Sequence, residues 1–458
     1  MNSGVPLREE NKKMKRMSIL FGLIIFAGFR AFAGTVSLEE ARALALAKSR
    51  SLAKYSLSIR NSVLDERSQL YTALPSVSAG YSASASYLNR NWGIENPIDN
   101  FSAGLDFAIT QKIFEGGKGA IQKAISEIAT ESVRKEAQAE YFNVLDSADN
   151  AYYAVLEAAA TLEAEESSLQ TAIASLSIAE IRQASGMINQ GDYLKALAEK
   201  EARENSRNQA RRSLSLNMTI FRALTGLDGT AELAQINFDA YEGLIQALAA
   251  ITDEQAGAVY SGLWDIIAAS NPSLARAALN SQRAEKNLTL ARRDYSPVVS
   301  ATIFSTNITW SAPDVLGTSS GGGISIRGSI PLDFWVMNNK IEKSRNARDS
   351  TALDYISAEI SLETELQSAL LNAFAYAGSV LSSGRSLEYT EKHFEYVMER
   401  YRLSQSSISD LNEASTLLIT SRNNLTKSRY GFLQSLSKLR SLGAIDDEEK
   451  LVNLLMGN

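Results

Sequence analysis

The sequence predicts a mainly α-helical protein with a small membrane-type β component, built as two repeats of one plan. Three observations carry this expectation. Segments of the two halves correspond at an offset of 222 residues, as between Ala47 and Ala269. Each half holds a pair of alternating apolar and polar segments. Each half also holds helical stretches too long for one compact domain.

The chain has 458 residues, is 45% hydrophobic and 21% charged, and contains no Cys. That composition suits a folded protein rather than a disordered one. At the start, Lys12, Lys13, Lys15 and Arg16 precede the apolar run Met17 to Phe29, closed by Arg30 and an Ala31-Phe32-Ala33 site. This order predicts a secretory signal over 1–33 and a mature start near Gly34. The run is too short to cross a bilayer as a helix. Six basic and two acidic residues leave with the signal, which takes the net charge from −6 to −10. An acidic exported chain without basic clusters is a poor partner for nucleic acid. No later stretch is long and apolar enough for a spanning helix, so any membrane crossing must be a β-barrel.

The repeat defines the remaining organisation. Repeat 1 is expected over 34–226 with a hairpin at about 75–113, and repeat 2 over 258–442 with a hairpin at about 297–335. The segment from Ala47 (AKSRSLAKYSLSIRNS) corresponds to that from Ala269 (ASNPSLARAALNSQRA), Pro75 to Pro297, and Lys118 to Lys340. Farther on, Gly186 and Asp192 correspond to Ser404 and Asp410 at an offset of 218, which one short indel explains. Residues 227–257 form an acidic, Gly-punctuated inter-repeat segment, and 443–458 a similar C-terminal one.

In the first hairpin, Val77, Ala79, Tyr81, Ala83, Ala85 and Tyr87 alternate with small polar residues, and Phe101, Ala103, Leu105, Phe107, Ile109 and Ile113 share a face. In the second, Ile324, Ile326, Ile330, Leu332 and Phe334 share a face, while the phase of 298–310 stays open. Each segment exceeds the about 9–11 residues of a tilted spanning strand. An apolar face opposite a small polar one fits a water-lined barrel, though a soluble half-buried hairpin alternates identically. Polar loops are expected at 88–100 and 311–322.

The stretch from Lys118 to about Ser185 predicts one helix of roughly 100 Å. Leu145, Tyr152, Ala159 and Ile173 share one seven-residue register, broken by Glu166, and Ala148, Val155, Leu162, Leu169 and Leu176 a second. That is a coiled-coil seam. Leu353, Ile356, Ile360, Leu370, Phe374, Ala377 and Leu381 form a looser counterpart.

Several segments taken together resemble the TolC-like outer membrane efflux family. They are TVSLEEARALALAKS from Thr35, LPSVSAGYSASASY from Leu74, ITQKIFEGGKGAIQKA from Ile109, ASGMINQGDYLKALAE from Ala184 and RYRLSQSSISDLNEAS from Arg400. No single motif is specific, whereas their order, spacing and duplication are. The resemblance implies a homotrimer in which each protomer gives four strands to one β-barrel in outer-membrane lipid. Long helices would continue that barrel as a periplasmic tunnel. It further implies a passive exit duct of a tripartite efflux or type I-like secretion system, working with a periplasmic adaptor and an inner-membrane transporter. It implies no enzyme activity and no cofactor. The alternative is a soluble periplasmic coiled-coil adaptor or scaffold, which would have no need of four membrane-length strands.

The resemblance also assigns candidate gate residues. Asp192 and Tyr401 match latch positions, and Asp410 and Glu413 match two constriction acids. Positions three apart share a helix face, and a ring of such acids favours cations. The position of the latch arginine holds Ser406, and the last acid is Glu rather than Asp. Helix capping is the competing role for Asp192 and Asp410, and a solvated surface acid for Glu413. Gly186, Met187, Arg402, Leu403 and Ser404 would lie at the tips that meet the adaptor; ordinary turn chemistry is the competing reading. Gly116-Gly117-Lys118 lacks phosphate-loop spacing and reads as a turn. His393 stands alone, without Cys or a second His, which argues against a transition-metal or imidazole-based site.

Overall fold

The computed structural model describes residues 35–86, 100–227, 232–312 and 319–456. The expected signal segment and most of the two expected loops lie outside the described residues. The chain divides into two compact units, one of residues 53–138 and 272–361, the other of the remaining segments.

The first unit contains the sheet. Helix α2 (Arg50–Tyr71) leads to β1 (Ser76–Ser86) and β2 (Asn100–Phe114), and helix α7 (Pro272–Arg292) leads to β3 (Val298–Ala312) and β4 (Ser319–Ser329). All neighbours are antiparallel in the order β1-β2-β3-β4, so the two hairpins join through β2 and β3. At that seam Thr110 and Thr302 share a hydroxyl hydrogen bond of 3.1 Å.

The register explains the two faces. Val77, Ile109, Ile303 and Ile324 lie directly opposite one another in one row across all four strands. Tyr81 pairs with Leu105 on the same face, and Tyr81 is 88% exposed. The opposite face carries Ser76, Thr110, Thr302 and Ser325 in the neighbouring row. The phase of β3 left open by the sequence is now fixed. Ala301, Ile303 and Ser305 lie on the apolar face, and Phe304 lies on the polar one, against Gly323. A Cβ at Gly323 would come within 3.0 Å of the Phe304 ring. A glycine opposite an aromatic thus admits a large side chain where the alternation calls for a small one.

The fourth strand departs from expectation. Ile330, Leu332 and Phe334 are not in it; β4 starts earlier, at Ser319, and ends at Ser329. Pro331 has no N–H to give the ladder, and the chain turns into helix α8 (Phe334–Arg402).

The strand-to-helix turn after β2 uses Gly116 and Gly117, both with left-handed φ of 66° and 75°. It delivers Lys118, the first residue of helix α3 (Lys118–Ala184), to Asp294 at 2.7 Å. Lys340, its repeat counterpart, pairs with the same carboxylate. Both repeats therefore close on one acid. Burial raises the Asp294 pKa, but the two ammoniums override it and hold the group below the usual carboxylate value.

The second unit is helical. Helix α1 (Leu38–Lys48) begins with a capping box between Ser37 and Glu40. Residues 139–184 of α3 turn back into helix α4 (Gln190–Thr225). Helices α5 (Glu242–Ala249) and α6 (Asp253–Ser270) carry the inter-repeat segment, followed later by residues 362–402 of α8, helix α9 (Ile408–Gly443) and helix α10 (Glu448–Leu455). The expected heptad seam holds in its first half, where Leu145, Ala148, Tyr152 and Val155 are buried. Beyond Ala159 the first register slips by one residue, because Glu165, Ala172 and Ala179 are buried while Ile173 is exposed, whereas Leu169 of the second register stays buried. The slip falls where Glu166 interrupts the pattern, and it keeps that acid in solvent.

Two polar devices tie the ends of this unit. Val36 pairs in parallel with Leu233, and the Tyr152 hydroxyl lies 3.0 Å from the Val36 carbonyl oxygen and 2.7 Å from that of Ala234. Asp149 is fully buried and accepts from Arg42 Nε at 2.6 Å and Nη2 at 3.0 Å, Ser437 Oγ at 2.8 Å and Arg440 Nη2 at 2.7 Å. One carboxylate on α3 thus holds α1 and α9.

Candidate functional site

The tips of the two helical hairpins belong to the helical unit, and each is built by the same local chemistry. At the first, α3 ends with Gly186 at φ 71°, and Met187 N–H donates to the Arg182 carbonyl at 2.8 Å. At the second, α8 ends with Ser404 at φ 63°, and Gln405 N–H donates to the Arg400 carbonyl at 2.8 Å. Both are left-handed helix stops that satisfy the last carbonyls. Met187 is 72% exposed, and Gly186, Arg402, Leu403 and Ser404 are exposed as well.

The restarting helices are capped by residues the sequence reading did not single out. Asn189 and Ser407 are the N-caps; Asp192 and Asp410 stand three residues later. Asp192 N–H donates to Asn189 Oδ1 at 2.9 Å, and Asn189 Nδ2 donates back to Asp192 Oδ2 at 3.0 Å. Asp410 completes a capping box, accepting from Ser407 N–H at 2.9 Å while its own N–H donates to Ser407 Oγ at 3.1 Å. Ser406 Oγ donates to the same Asp410 oxygen at 3.0 Å. The residue found where an arginine was expected therefore bonds Asp410 within its own turn. The Ser407 backbone and hydroxyl bonds, with that of Ser406, hold the Asp410 carboxyl below its usual pKa. Asp410 and Glu413 are both exposed on α9, three residues apart.

Tyr401 sits differently. It is 2% exposed and packs with Ala179, Ala196, Val397, Ile408, Leu411 and Ala414. Those residues come from all four helix ends. Burial pushes the Tyr401 phenol pKa up against the opposing charge of Arg182, and the nearby Asp192 charge adds to the rise. Its hydroxyl donates to the Ser175 carbonyl at 3.5 Å.

Arg182 was missed by the sequence reading. It is 8% exposed and donates from Nη2 to the carbonyls of Tyr401 and, at 3.3 Å, Arg402. Its guanidinium carbon lies 4.6 Å from the centre of the Tyr401 ring. In sequence, an arginine one turn before a helix stop reads as a partner for its own helix dipole. Here it serves the end of another helix. Lys195 Nζ adds a contact to Ser409 Oγ at 3.2 Å, between α4 and α9.

The sequence matches the family described as outer membrane efflux protein (OEP) over residues 41–227 and 263–444. The chain belongs to that family. No curated protein sequence matches it. Among solved structures, the CusC channel is similar with a TM-score of 0.75 at 15% identity, covering 91% of this chain and 95% of that one. The CmeC outer membrane channel of Campylobacter jejuni gives 0.74 at 15% identity, covering 92% and 89%. The VceC outer membrane protein of Vibrio cholerae gives 0.71 at 16% identity, covering 89% and 96%. The fold is thus that of the outer membrane channels, and the family and its structural neighbours are channel proteins. The efflux protein resides in the outer membrane, extends into the periplasm and forms an exit duct. Among the described residues no helix is long and apolar enough to cross a membrane.

Proposed function

We propose that this protein is the passive outer-membrane duct of a tripartite efflux or type I-like secretion system, working as a homotrimer with a periplasmic adaptor and an inner-membrane transporter. The observation that carries this reading is the four-stranded sheet, whose apolar face is exposed and whose β1 and β4 edges have no partner strand among the described residues. Open edges in lipid leave backbone groups unpaired at several kcal/mol each, so the sheet must close with other copies. Three copies of four strands give twelve, an even number within the bacterial range. Leu57 and Leu64 on α2, and Leu353, Ile356 and Ile360 on α8, are exposed at helical spacing and need the same covering.

At the tips, Asp410 and Glu413 of three protomers form an acidic constriction, with Asp192 and Tyr401 as gating residues. Gly186, Met187, Arg402, Leu403 and Ser404 meet the adaptor. Residues 1–33 serve as the signal removed on export. The repeats span 34–226 and 258–442, flanking the 227–257 segment, with 443–458 as the C-terminal one. The test is reconstitution of the detergent-extracted protein in planar bilayers after outer-membrane fractionation. A trimer with cation-selective conductance is expected, and Asp410→Ala with Glu413→Ala should reduce the selectivity. Recovery as a soluble periplasmic monomer would favour the adaptor or scaffold reading instead. Unchanged selectivity in the double variant would place the constriction elsewhere.

A further inference from the structure

We infer that Arg182 is an intraprotomer clasp that holds the two tips of one protomer together and so sets how readily the entrance widens. This rests on the reading of the tips as the duct's entrance.

The geometry is specific. Arg182 belongs to the last turn of α3, in repeat 1, yet its Nη2 donates to the carbonyls of Tyr401 and Arg402 at the C-terminal end of α8, in repeat 2. Those carbonyls lie at the negative end of the α8 dipole, where a cation is favoured. The planar guanidinium also lies over the Tyr401 ring, so one side chain makes a charge-assisted bond and a cation–π contact together. Arg182 is nearly buried, so separation of the tips either hydrates it or strands it among apolar neighbours. Around it, Ala179, Ala196, Val397, Ile408, Leu411 and Ala414 form one core shared by α3, α4, α8 and α9. Small residues at Ala179, Ala196 and Ala414 let the helices approach closely, and Tyr401 fills the space between them.

The alternative holder is absent by chemistry. Ser406 is too short to reach beyond its own turn and is engaged with Asp410. Asp410 in turn is engaged with Ser407. Among the described residues, the other side-chain ties between the hairpins near the tips are the long bond from the Tyr401 hydroxyl to the Ser175 carbonyl at 3.5 Å, Lys195 to Ser409, on exposed groups, and Arg203 to Thr416, farther along α4 and α9. An exposed lysine–hydroxyl contact resists little. Arg182 therefore carries most of the polar resistance to parting the tips, and it acts as a positioning residue rather than one that touches cargo.

The test uses the full-length oligomer extracted from outer membranes and reconstituted in planar bilayers. Arg182→Ala is expected to raise the opening equilibrium roughly ten- to hundred-fold, the factor that loss of a charged hydrogen bond gives. Arg182→Lys keeps the charge without the planar fork and should fall between. The chain has no Cys, so Lys195→Cys with Ser409→Cys gives one defined pair. Bridging that pair with a short bis-maleimide in the Arg182→Ala background should return the conductance to the wild-type level. Restoration by the bridge separates a clasp from a merely folding role. Wild-type conductance in Arg182→Ala overturns the inference, as does a bridge without effect. If Arg182→Ala does not assemble, Arg182→Lys decides, and wild-type behaviour there overturns it too. A wild-type protein that conducts nothing would instead sink the duct reading itself.

Discussion

Replacing Asp149 by Ala should loosen α1 and the C-terminal part of α9 at once. The carboxylate has no solvent exposure and accepts four bonds, two from Arg42, one from Ser437 and one from Arg440. The Arg440 side chain is only 4% exposed, so the substitution leaves a buried cation without its counter-charge. Breaking a buried pair in this way costs about 3–5 kcal/mol. Asp149→Asn retains the acceptor oxygen and loses the charge, which should cost about 1.5–3 kcal/mol. Glu448, 3.8 Å from Arg42 and bonded by the Tyr241 hydroxyl at 2.6 Å, links α10 to the same network. Native-state hydrogen exchange of the extracted protein is the direct assay, since it reads local opening free energies. Amides of α1 and of α9 around Ser437 and Arg440 should exchange roughly a hundred- to a few-thousand-fold faster in Asp149→Ala, at about 1.4 kcal/mol per tenfold. Amides of the sheet serve as the internal control. Exchange in α1 and in α9 around Ser437 and Arg440 within a factor of about three of wild type would refute the claim that this carboxylate fastens them.

Three further outcomes follow from local geometry. Gly116→Ala should destabilise by about 2–5 kcal/mol, because its φ is left-handed and its Cβ would meet Ser296 Cβ at 2.2 Å. Gly117→Ala, with open space around its Cβ, should cost only about 1–2 kcal/mol, and equal thermal shifts for the two would refute the clash. Asp294→Ala should remove the shared partner of Lys118 and Lys340 at a cost of about 1–3 kcal/mol, checked by thermal unfolding against Asp294→Asn. The folded pKa of Asp410 lies below the ordinary value, so its capping contribution is complete above the ordinary pKa. That contribution is lost as pH falls through the folded pKa. Cation selectivity should accordingly persist in mildly acidic solution and disappear only below the ordinary carboxylate range; a loss near neutral pH would point to another group.

The parts of the fold that were legible in the sequence are those set by period and punctuation. The expected α3, from Lys118 to about Ser185, matches Lys118–Ala184, since nothing after Gly119 breaks it. The first hairpin is offset by at most one residue at each expected end, because its alternation is uninterrupted. The fourth strand was placed too late, because Ile330, Leu332 and Phe334 prolong the alternation past Pro331, where the ladder cannot continue. In the third strand, Phe304 over Gly323 hid the phase, since the relief is supplied by a residue on another strand. The same limit governs the tips. Asp192 and Asp410 were recognised as residues of helix starts, but the caps are Asn189 and Ser407, and only the backbone bonds separate the two roles. Arg182 and Asp149 were invisible for a stronger reason. Their partners lie more than a hundred residues away, and neither carries a local signature.

The duplication itself yields a reciprocal experiment at the tips. Both tips require a left-handed residue to stop the incoming helix, and the repeats meet that demand with Gly186 in one half and Ser404 in the other. A residue with a Cβ in that conformation costs roughly 1–2 kcal/mol. Nothing lies within 4 Å of a Cβ placed on Gly186, so the penalty there is conformational and not steric. Ser404→Gly should therefore stabilise the second tip by about 1 kcal/mol, and Gly186→Ser should destabilise the first by a similar amount. The double exchange should come out near neutral, because the two turns are built alike, with matching bonds from Met187 to Arg182 and from Gln405 to Arg400. Hydrogen exchange of the amides flanking each turn separates the two sites within one protein. If Ser404→Gly gives no stabilisation, the Ser404 side chain compensates its own strain through contacts outside the protomer. If it stabilises the tip and also shifts channel opening, the strained serine belongs to the mobility of the second tip, the same tip that Arg182 holds.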